Sequence, residues 1–426
     1  MSQERVVVVN GTRTPFARAR TAFSKMTPAA LGAVALRETI ARSDIDPKLV
    51  DECYFGIVSP PAEGSNIARE AMFDAGLPPT IPCTTINRYC ASAAEAAAAI
   101  AAKIISGQID IGLAGGVESI SSVRALFSLQ ATNFFSDFAR MKTTGQKLSK
   151  LSKFSPTLLA PHAPGITEPT LGLSMGQSAD LMARQFKVSR EEQDKFAVES
   201  HQKANKAWES GFYKSHVVAV ATPDGAIVDK DTDVRSDTSV EKLSTLRPVF
   251  YKDGTITAGT ASPLTDGASA VLLMTESKAR ELKMKPLGAI IGYAAAAVDI
   301  QKEPLLIGPV YAIPKALKAA GIKWEDLDLL EIHEAFAGQV LATIRAIESP
   351  EFAKEKLGLD KAIGRVDMSK LNVNGGSIPL GHPFGATGGR MILQTLHGLK
   401  QAGKRYGLIS ICAAGGLGSV MILEAF

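Results

Sequence analysis

Apolar residues fall into two patterns along this chain: short β-branched runs and longer stretches with helical spacing. Arg5 to Asn10 is a β-branched run and predicts a buried strand. Thr27–Pro28 supplies cap and first-turn signals for a helix to about Arg42. Cys53 to Val58 predicts another strand, and Asn66 caps a helix that stops at Gly76. From Cys90 to near Gly107 the chain is small and apolar nearly all round, which predicts a buried, Ala-rich helix. Ile109 to Ala114 then predicts a strand, with Gly115–Gly116 as a turn.

Strands alternating with helices imply an α/β fold. The alternation breaks after about Ser121, and to about Phe250 the chain is richer in Lys, Ser, Thr and Pro. That span holds one clear amphipathic helix, opened by a Ser189/Glu192 capping box and closed by Gly211. It reads as an insertion, after which the pattern resumes at about Thr255. Further on, Gly385 to about Ala402 predicts a helix, Tyr406 to Ile411 a strand, and Gly415–Gly416 a turn. This echoes the helix, strand and Gly-Gly series that starts at Cys90, and suggests that one α/β unit occurs twice.

The length of 426 residues suggests two or three units. Hydrophobic residues at 46% and charged residues at 21% are ordinary for a globular protein with a large core. A net charge of +4 is too weak to argue for nucleic acid, but suits an anionic ligand. The four cysteines form no CxxC pair, so neither a zinc site nor a disulfide framework is indicated, and a reducing, cytoplasmic location is expected. The charged start lacks the apolar core of a signal peptide, and no apolar run has membrane-spanning length.

Cys90 stands where the Ala-rich helix begins. Unpaired N–H groups and a partial positive charge at a helix start lower a thiol pKa and can hold an oxyanion. On its residues alone, Cys90 reads equally well as a nucleophile or as a buried packing cysteine. Gly375 to Gly388 is a Gly-rich loop that carries His382 into a helix; it lacks the Lys-Ser/Thr ending of a phosphate loop. His382 there reads as a base or as a structural histidine. Cys412 ends a strand before Gly415–Gly416, where a thiol can reach a site or pack in the core. His333-Glu334-Ala335-Phe336 follows the apolar strand Leu327 to Ile332, at the end where open α/β sheets bind ligands. His162, His201, His216 and His397 read as surface residues, and Cys53 and Cys83 as packing residues.

Taken together, these segments resemble the thiolase family. The similarity also covers Thr12-Arg13-Thr14-Pro15-Phe16, Gly116-Val117-Glu118-Ser119, Thr255 to Ser262 and Asp266-Gly267-Ala268. Each motif is weak alone, but their joint order and spacing are specific. The resemblance implies two similar α/β halves in five αβαβα layers. It divides the chain into an N-terminal half, 1–120 plus 251–286, an inserted loop domain, 121–250, and a C-terminal half, 287–426. It implies that Cys90 carries the acyl group, that His382 takes its proton, and that Cys412 protonates the departing acetyl-CoA enolate. His333 and Phe336 match the motif beside the first oxyanion, Ala414 lies near the second, and Ser262 and Met175 match positions on the CoA and acyl path. Coenzyme A is implied as a substrate, with no bound cofactor and no metal, and the protein as a homodimer or tetramer.

Two departures refine the resemblance. The usual family member has Asn where this chain has His333, and Gly where it has Ala414. The His-Glu-Ala-Phe form, with Pro263 to Gly267 and Gly381-His382-Pro383-Phe384, looks like the β subunits of trifunctional fatty-acid oxidation complexes. That implies thiolysis of 3-ketoacyl-CoA in β-oxidation, and a partner α subunit with hydratase and dehydrogenase activities. A short-chain acetoacetyl-CoA thiolase and a non-catalytic acyl-CoA-binding subunit are the alternatives. A decarboxylating ketoacyl synthase shares the fold and uses two histidines, but has no need of Cys412. The basic residues Arg140, Lys142, Lys147, Lys150 and Lys153 read as a contact for CoA phosphates, a partner or an anionic membrane surface, or as a solvated basic face.

Overall fold

The computed structural model describes residues 4–62, 64–124, 126–160 and 167–426. The β-branched runs become strands of one mixed sheet: β1 (Val6–Arg13), β2 (Glu52–Gly56), β3 (Cys83–Ile86), β4 (Ile111–Glu118), β5 (Thr265–Thr275), β6 (Gly288–Ala297), β7 (Leu329–Ile332), β8 (Tyr406–Ala413) and β9 (Leu417–Ala425). They lie in the order β7-β8-β9-β6-β1-β5-β4-β2-β3, with the short strand Ala17–Arg18 against β5. In one half β2 is parallel to β4, and β5 runs antiparallel to β4 and β1. In the other, β7 is parallel to β8, and β9 runs antiparallel to β8 and β6. The two halves therefore repeat one topology, as the sequence echo predicts. They join where Val6–Val8 pairs with Gly288–Ile290.

The helices are α1 (Pro28–Ser43), α2 (Ile67–Asp74), α3 (Ser92–Ile105), α4 (Leu129–Arg140), α5 (Thr144–Leu151), α6 (Met175–Gln185), α7 (Arg190–Glu209), α8 (Gly308–Ala320), α9 (Ala337–Glu348) and α10 (Thr387–Ala402). Their ends follow local chemistry. Thr27 caps α1 by accepting from the Ala30 N–H, Asn66 caps α2, and Ser189 and Glu192 cap α7 reciprocally. Helices α1 and α2 pack one face of the first half through Leu31, Leu36, Phe55 and Met72. Helices α3 and α10 lie between the halves, with Ile100, Ile104, Met391, Leu396 and Ile409 in a shared core. Helices α8 and α9 cover the far face of the second half through Ile313, Val340, Leu408 and Ile422. This is the expected α/β arrangement of five layers.

Three expectations change. Gly115 and Gly116 are not a turn; both lie inside β4. A Cβ on Gly116 would stand 2.0 Å from the Gly385 carbonyl oxygen, so Gly116 serves close approach between the halves, while one on Gly115 would stand 2.1 Å from the Ser269 carbonyl oxygen of the neighbouring β5. Gly415 and Gly416, with φ of 74° and 71°, do form the turn between β8 and β9. The insertion is more helical than its composition suggests: α4, α5 and α6 accompany α7, and Met182, Phe196 and Val198 join the core of the second half. The Ala-rich α3 begins at Ser92 rather than at Cys90.

Candidate active site

Cys90 sits in a tight turn one residue ahead of the α3 N-cap, Ala91. The preceding Tyr89 has φ of 48°, a left-handed conformation that a bulky residue seldom adopts. Its neighbours hold it there. The Asn87 side chain accepts from the Tyr89 N–H at 2.8 Å, and Ser92 Oγ donates to the Tyr89 carbonyl at 2.6 Å. Burial pushes the Cys90 thiol up, with smaller contributions in the same direction from Cys412 and Glu118. This reverses the sequence expectation of a lowered pKa. The residue precedes the helix, and desolvation of a thiolate outweighs what a nearby helix start offers. At rest, Cys90 is a neutral thiol that needs a base.

His382 supplies one within reach: its Nε2 lies 3.1 Å from Cys90 Sγ. Its Nδ1 lies 2.6 Å from Thr387 Oγ1, at the start of α10. The Thr387 hydroxyl hydrogen goes to the Pro383 carbonyl at 3.0 Å, and a carbonyl only accepts. Thr387 must therefore accept from His382 Nδ1–H, which leaves the Nε2 lone pair facing the thiol. Burial lowers the His382 pKa to about 3, so the ring is neutral at rest.

His333 follows β7, fully buried, with Nε2 3.2 Å from His382 Nε2 and Nδ1 3.0 Å from Ser377 Oγ. Burial holds its pKa well below the ordinary range. Cys90, His333 and His382 offer three donor atoms within 4.8 Å of one another, a set that could ligate a metal ion. Cys412 is buried near the end of β8, its thiol pushed up to about 12 by burial. Glu118 ends β4 and ties the two halves together. Its carboxylate accepts from the N–H groups of Val58, Ser59 and Gly385 at 2.9–3.0 Å. Burial raises its pKa to about 7 against the pull of those three donors.

The site thus forms where equivalent loops of the two halves meet: Cys90 before α3, His382 before α10, and His333 and Cys412 at the ends of the parallel strands β7 and β8. Phe336 sits half-buried against Phe250, and Ala261 bridges to it. The Ser262 N–H donates to the Ala335 carbonyl, which puts Ser262 beside the same loop. Met175 opens α6 and packs against the core of the second half. Ala414 is half-buried just past Cys412.

Several sequence readings change. His201 and His216 are buried, and His397 is half-buried and stacked on His216 at 4.9 Å. His216 packs against the neighbouring rings of Phe212 and Tyr213 and against His397 from far along the chain, so the polar composition around it misleads. His162 lies outside the described residues. Cys53 and Cys83 are cross-strand neighbours on β2 and β3, buried and half-buried respectively. Sequence reasoning gave no role to Ser377, Thr387 or Arg390. The 375–390 stretch sets hydroxyls and a lone Arg among its glycines, but nothing in it says which of them meets a histidine.

Comparison with known proteins agrees with this fold. Residues 6–277 match the family model "Thiolase, N-terminal domain", and residues 284–425 match "Thiolase, C-terminal domain". The chain is 45% identical over 424 residues to a 3-ketoacyl-CoA thiolase of Photobacterium profundum, covering 99% of this chain and 97% of that protein. It is 45% identical over 425 residues to one of Vibrio cholerae, covering 99% and 98%. Among solved structures, a Bacillus anthracis acetyl-CoA acetyltransferase superposes with a TM-score of 0.84 at 34% identity, covering 100% of this chain and 99% of that one. Human mitochondrial 3-ketoacyl-CoA thiolase in complex with CoA gives 0.83 at 31%, covering 100% and 98%.

Proposed function

The chain belongs to the thiolase family, and on that premise we propose that it cleaves 3-ketoacyl-CoA with free CoA, giving acetyl-CoA and a shortened acyl-CoA. The observation that carries this reading is the Cys90 thiol 3.1 Å from a His382 nitrogen whose lone pair Thr387 leaves free. The Cys90 proton passes to His382 Nε2 as the sulfur attacks the 3-keto carbon. The oxygen of that carbon becomes negative beside His382 Nε2–H and His333. Collapse breaks the bond between carbons 2 and 3, and the electron pair leaves on the acetyl-CoA enolate. Cys412, a neutral thiol held high by burial, gives carbon 2 its proton. CoA then loses its thiol proton to the Cys412 thiolate and attacks the acyl-Cys90 thioester. Sulfur of Cys90 departs and regains its proton from His382. In reverse this is a Claisen condensation.

Ser262, Met175, Phe336 and Ala414 lie on the substrate path in this reading, and CoA enters as substrate. The named relatives are 3-ketoacyl-CoA thiolases, and we assign the same reaction here a degradative role in fatty-acid β-oxidation. The four free cysteines suit a cytoplasmic, reducing setting. Edge strand β3 leaves backbone groups for a second copy, which supports a homodimer. An α subunit with hydratase and dehydrogenase activities is the expected partner. Helices α4 and α5 expose Leu129, Phe135, Leu148 and Leu151 beside the basic residues of 140–153, which suits peripheral contact with an anionic membrane surface. No helix of the described residues is long and apolar enough to cross a membrane.

Thiolysis assays on a chain-length series of 3-ketoacyl-CoA, with Cys90→Ala as control, test the reading. Activity that extends to long chains and vanishes in the variant supports it. Activity confined to acetoacetyl-CoA makes the protein a short-chain thiolase, and binding without turnover makes it a non-catalytic subunit.

A further inference from the structure

We propose that Ser377, locked by Arg390, is a positioning residue that fixes the proton of His333 on Nε2, so that His333 presents an N–H to the reacting oxygen. The inference deepens the thiolytic reading above and rests on it for its kinetic arm.

The hydrogen bonds assign every proton in turn. Arg390 is 1% exposed, and its Nη2 donates to Ser377 Oγ at 2.9 Å. Guanidinium nitrogens only donate, so Ser377 must accept there. Arg390 is itself held by Glu331 Oε2 at 3.4 Å, and Gln394 donates to the same carboxylate at 3.1 Å. Ser377 is fully buried, and among the described residues its hydroxyl hydrogen has one acceptor, His333 Nδ1 at 3.0 Å. Were Nδ1 protonated instead, that hydrogen would be buried without a partner, at a cost on the order of 1–3 kcal/mol. Nδ1 therefore accepts, and the His333 proton sits on Nε2.

That placement matters because of what Nε2 faces. It points at His382 Nε2, 3.2 Å away, so at rest the His333 N–H and the Cys90 thiol share the one lone pair of that nitrogen. Once the thiol proton moves to His382, both facing nitrogens carry hydrogen and neither can accept from the other. The two N–H groups are then free for a third partner, and a developing oxyanion is the acceptor that satisfies both. With the other tautomer His333 would turn a lone pair toward that charge and repel it.

Ser377→Ala and Ser377→Thr decide between orientation and mere packing. Thiolysis needs the oxyanion donor; alkylation of Cys90 by iodoacetamide needs the Cys90–His382 pair but develops no oxyanion. Ser377→Ala should lower kcat at least about tenfold with little change in KM, as expected when a catalytic imidazole loses its tautomer. Its alkylation rate should match the unaltered protein, and Ser377→Thr should retain most of kcat. An undiminished kcat in Ser377→Ala overturns the proposal. So does a loss of alkylation equal to the loss of kcat, which would mean the whole pair had shifted. A second arm is independent of substrate. In protein labelled with 15N-histidine, the His333 signals, assigned by their loss in His333→Asn, should show an unprotonated Nδ1 and a protonated Nε2. A protonated Nδ1 overturns the proposal even if thiolysis is present. Absence of thiolysis in the unaltered protein would instead count against the proposed function, and the nitrogen shifts would still decide the assignment.

Discussion

Thr387 decides what His382 can do, because a histidine is a base only at the nitrogen that lacks hydrogen. Thr387→Val removes the acceptor for Nδ1–H at little cost in volume. It should slow Cys90 alkylation and thiolysis together by about tenfold or more, whereas Thr387→Ser should keep both near the original rates. Cys412 separates from this pair. Cys412→Ala should abolish exchange of the acetyl-CoA methyl protons with deuterated water, followed by NMR, yet leave Cys90 open to alkylation. Equal loss of both would deny Cys412 a distinct proton-transfer role. Cys90, His382, Cys412 and His333 were legible as candidates in the sequence, since each stands at an element end, but their roles came only from the family resemblance. Ser377, Thr387 and Arg390 were not, because a hydroxyl acquires meaning only from the acceptor that folding brings to it. Nor was the sign of the Cys90 shift, which depends on burial by segments hundreds of residues away.

At the scale of elements, the strands and most helices follow from local signals such as the Asn66 cap and the Ser189/Glu192 box. The misread Gly115–Gly116 shows the limit. A glycine pair after an apolar run reads as a turn, while here its second member, Gly116, lets β4 touch the His382 loop. Gly116→Ala would drive a methyl into the Gly385 carbonyl, where backbone must yield on one side or the other. It should cost about 1–3 kcal/mol, the usual penalty of overpacking. Its effect on activity should be larger, since the displaced loop carries His382. Denaturant midpoints and thiolysis rates check this together; an unchanged midpoint with full activity would contradict the close approach. The helices α4 to α6 escape the sequence reading because the span around them is rich in Lys, Ser, Thr and Pro, although each is amphipathic.

Across the whole molecule, two sets of buried or half-buried groups pull stability in opposite directions as pH falls. Burial lowers the folded pKa of His201 and His397 to about 4, from about 6.5 unfolded, so the unfolded chain binds more protons and stability is lost between those values. Burial raises Glu118 and Glu331 to about 7, so the folded chain binds the proton first and stability is gained between about pH 7 and the unfolded value near 4.3. His201→Gln isolates the first set: between pH 7 and pH 5 it should lose on the order of 2 kcal/mol less than the unaltered protein. An unchanged pH dependence would mean that His201 is not held neutral. The repeated topology, in turn, explains why no single segment contains the site: each half contributes loops that have chemistry only when apposed. The account stands most directly on covalent capture at that junction. Incubation with a 3-ketoacyl-CoA in the absence of free CoA, followed by peptide mass spectrometry, should find the shortened acyl group on Cys90, and addition of CoA should remove it. An unmodified Cys90, or acyl groups on other cysteines instead, would contradict it.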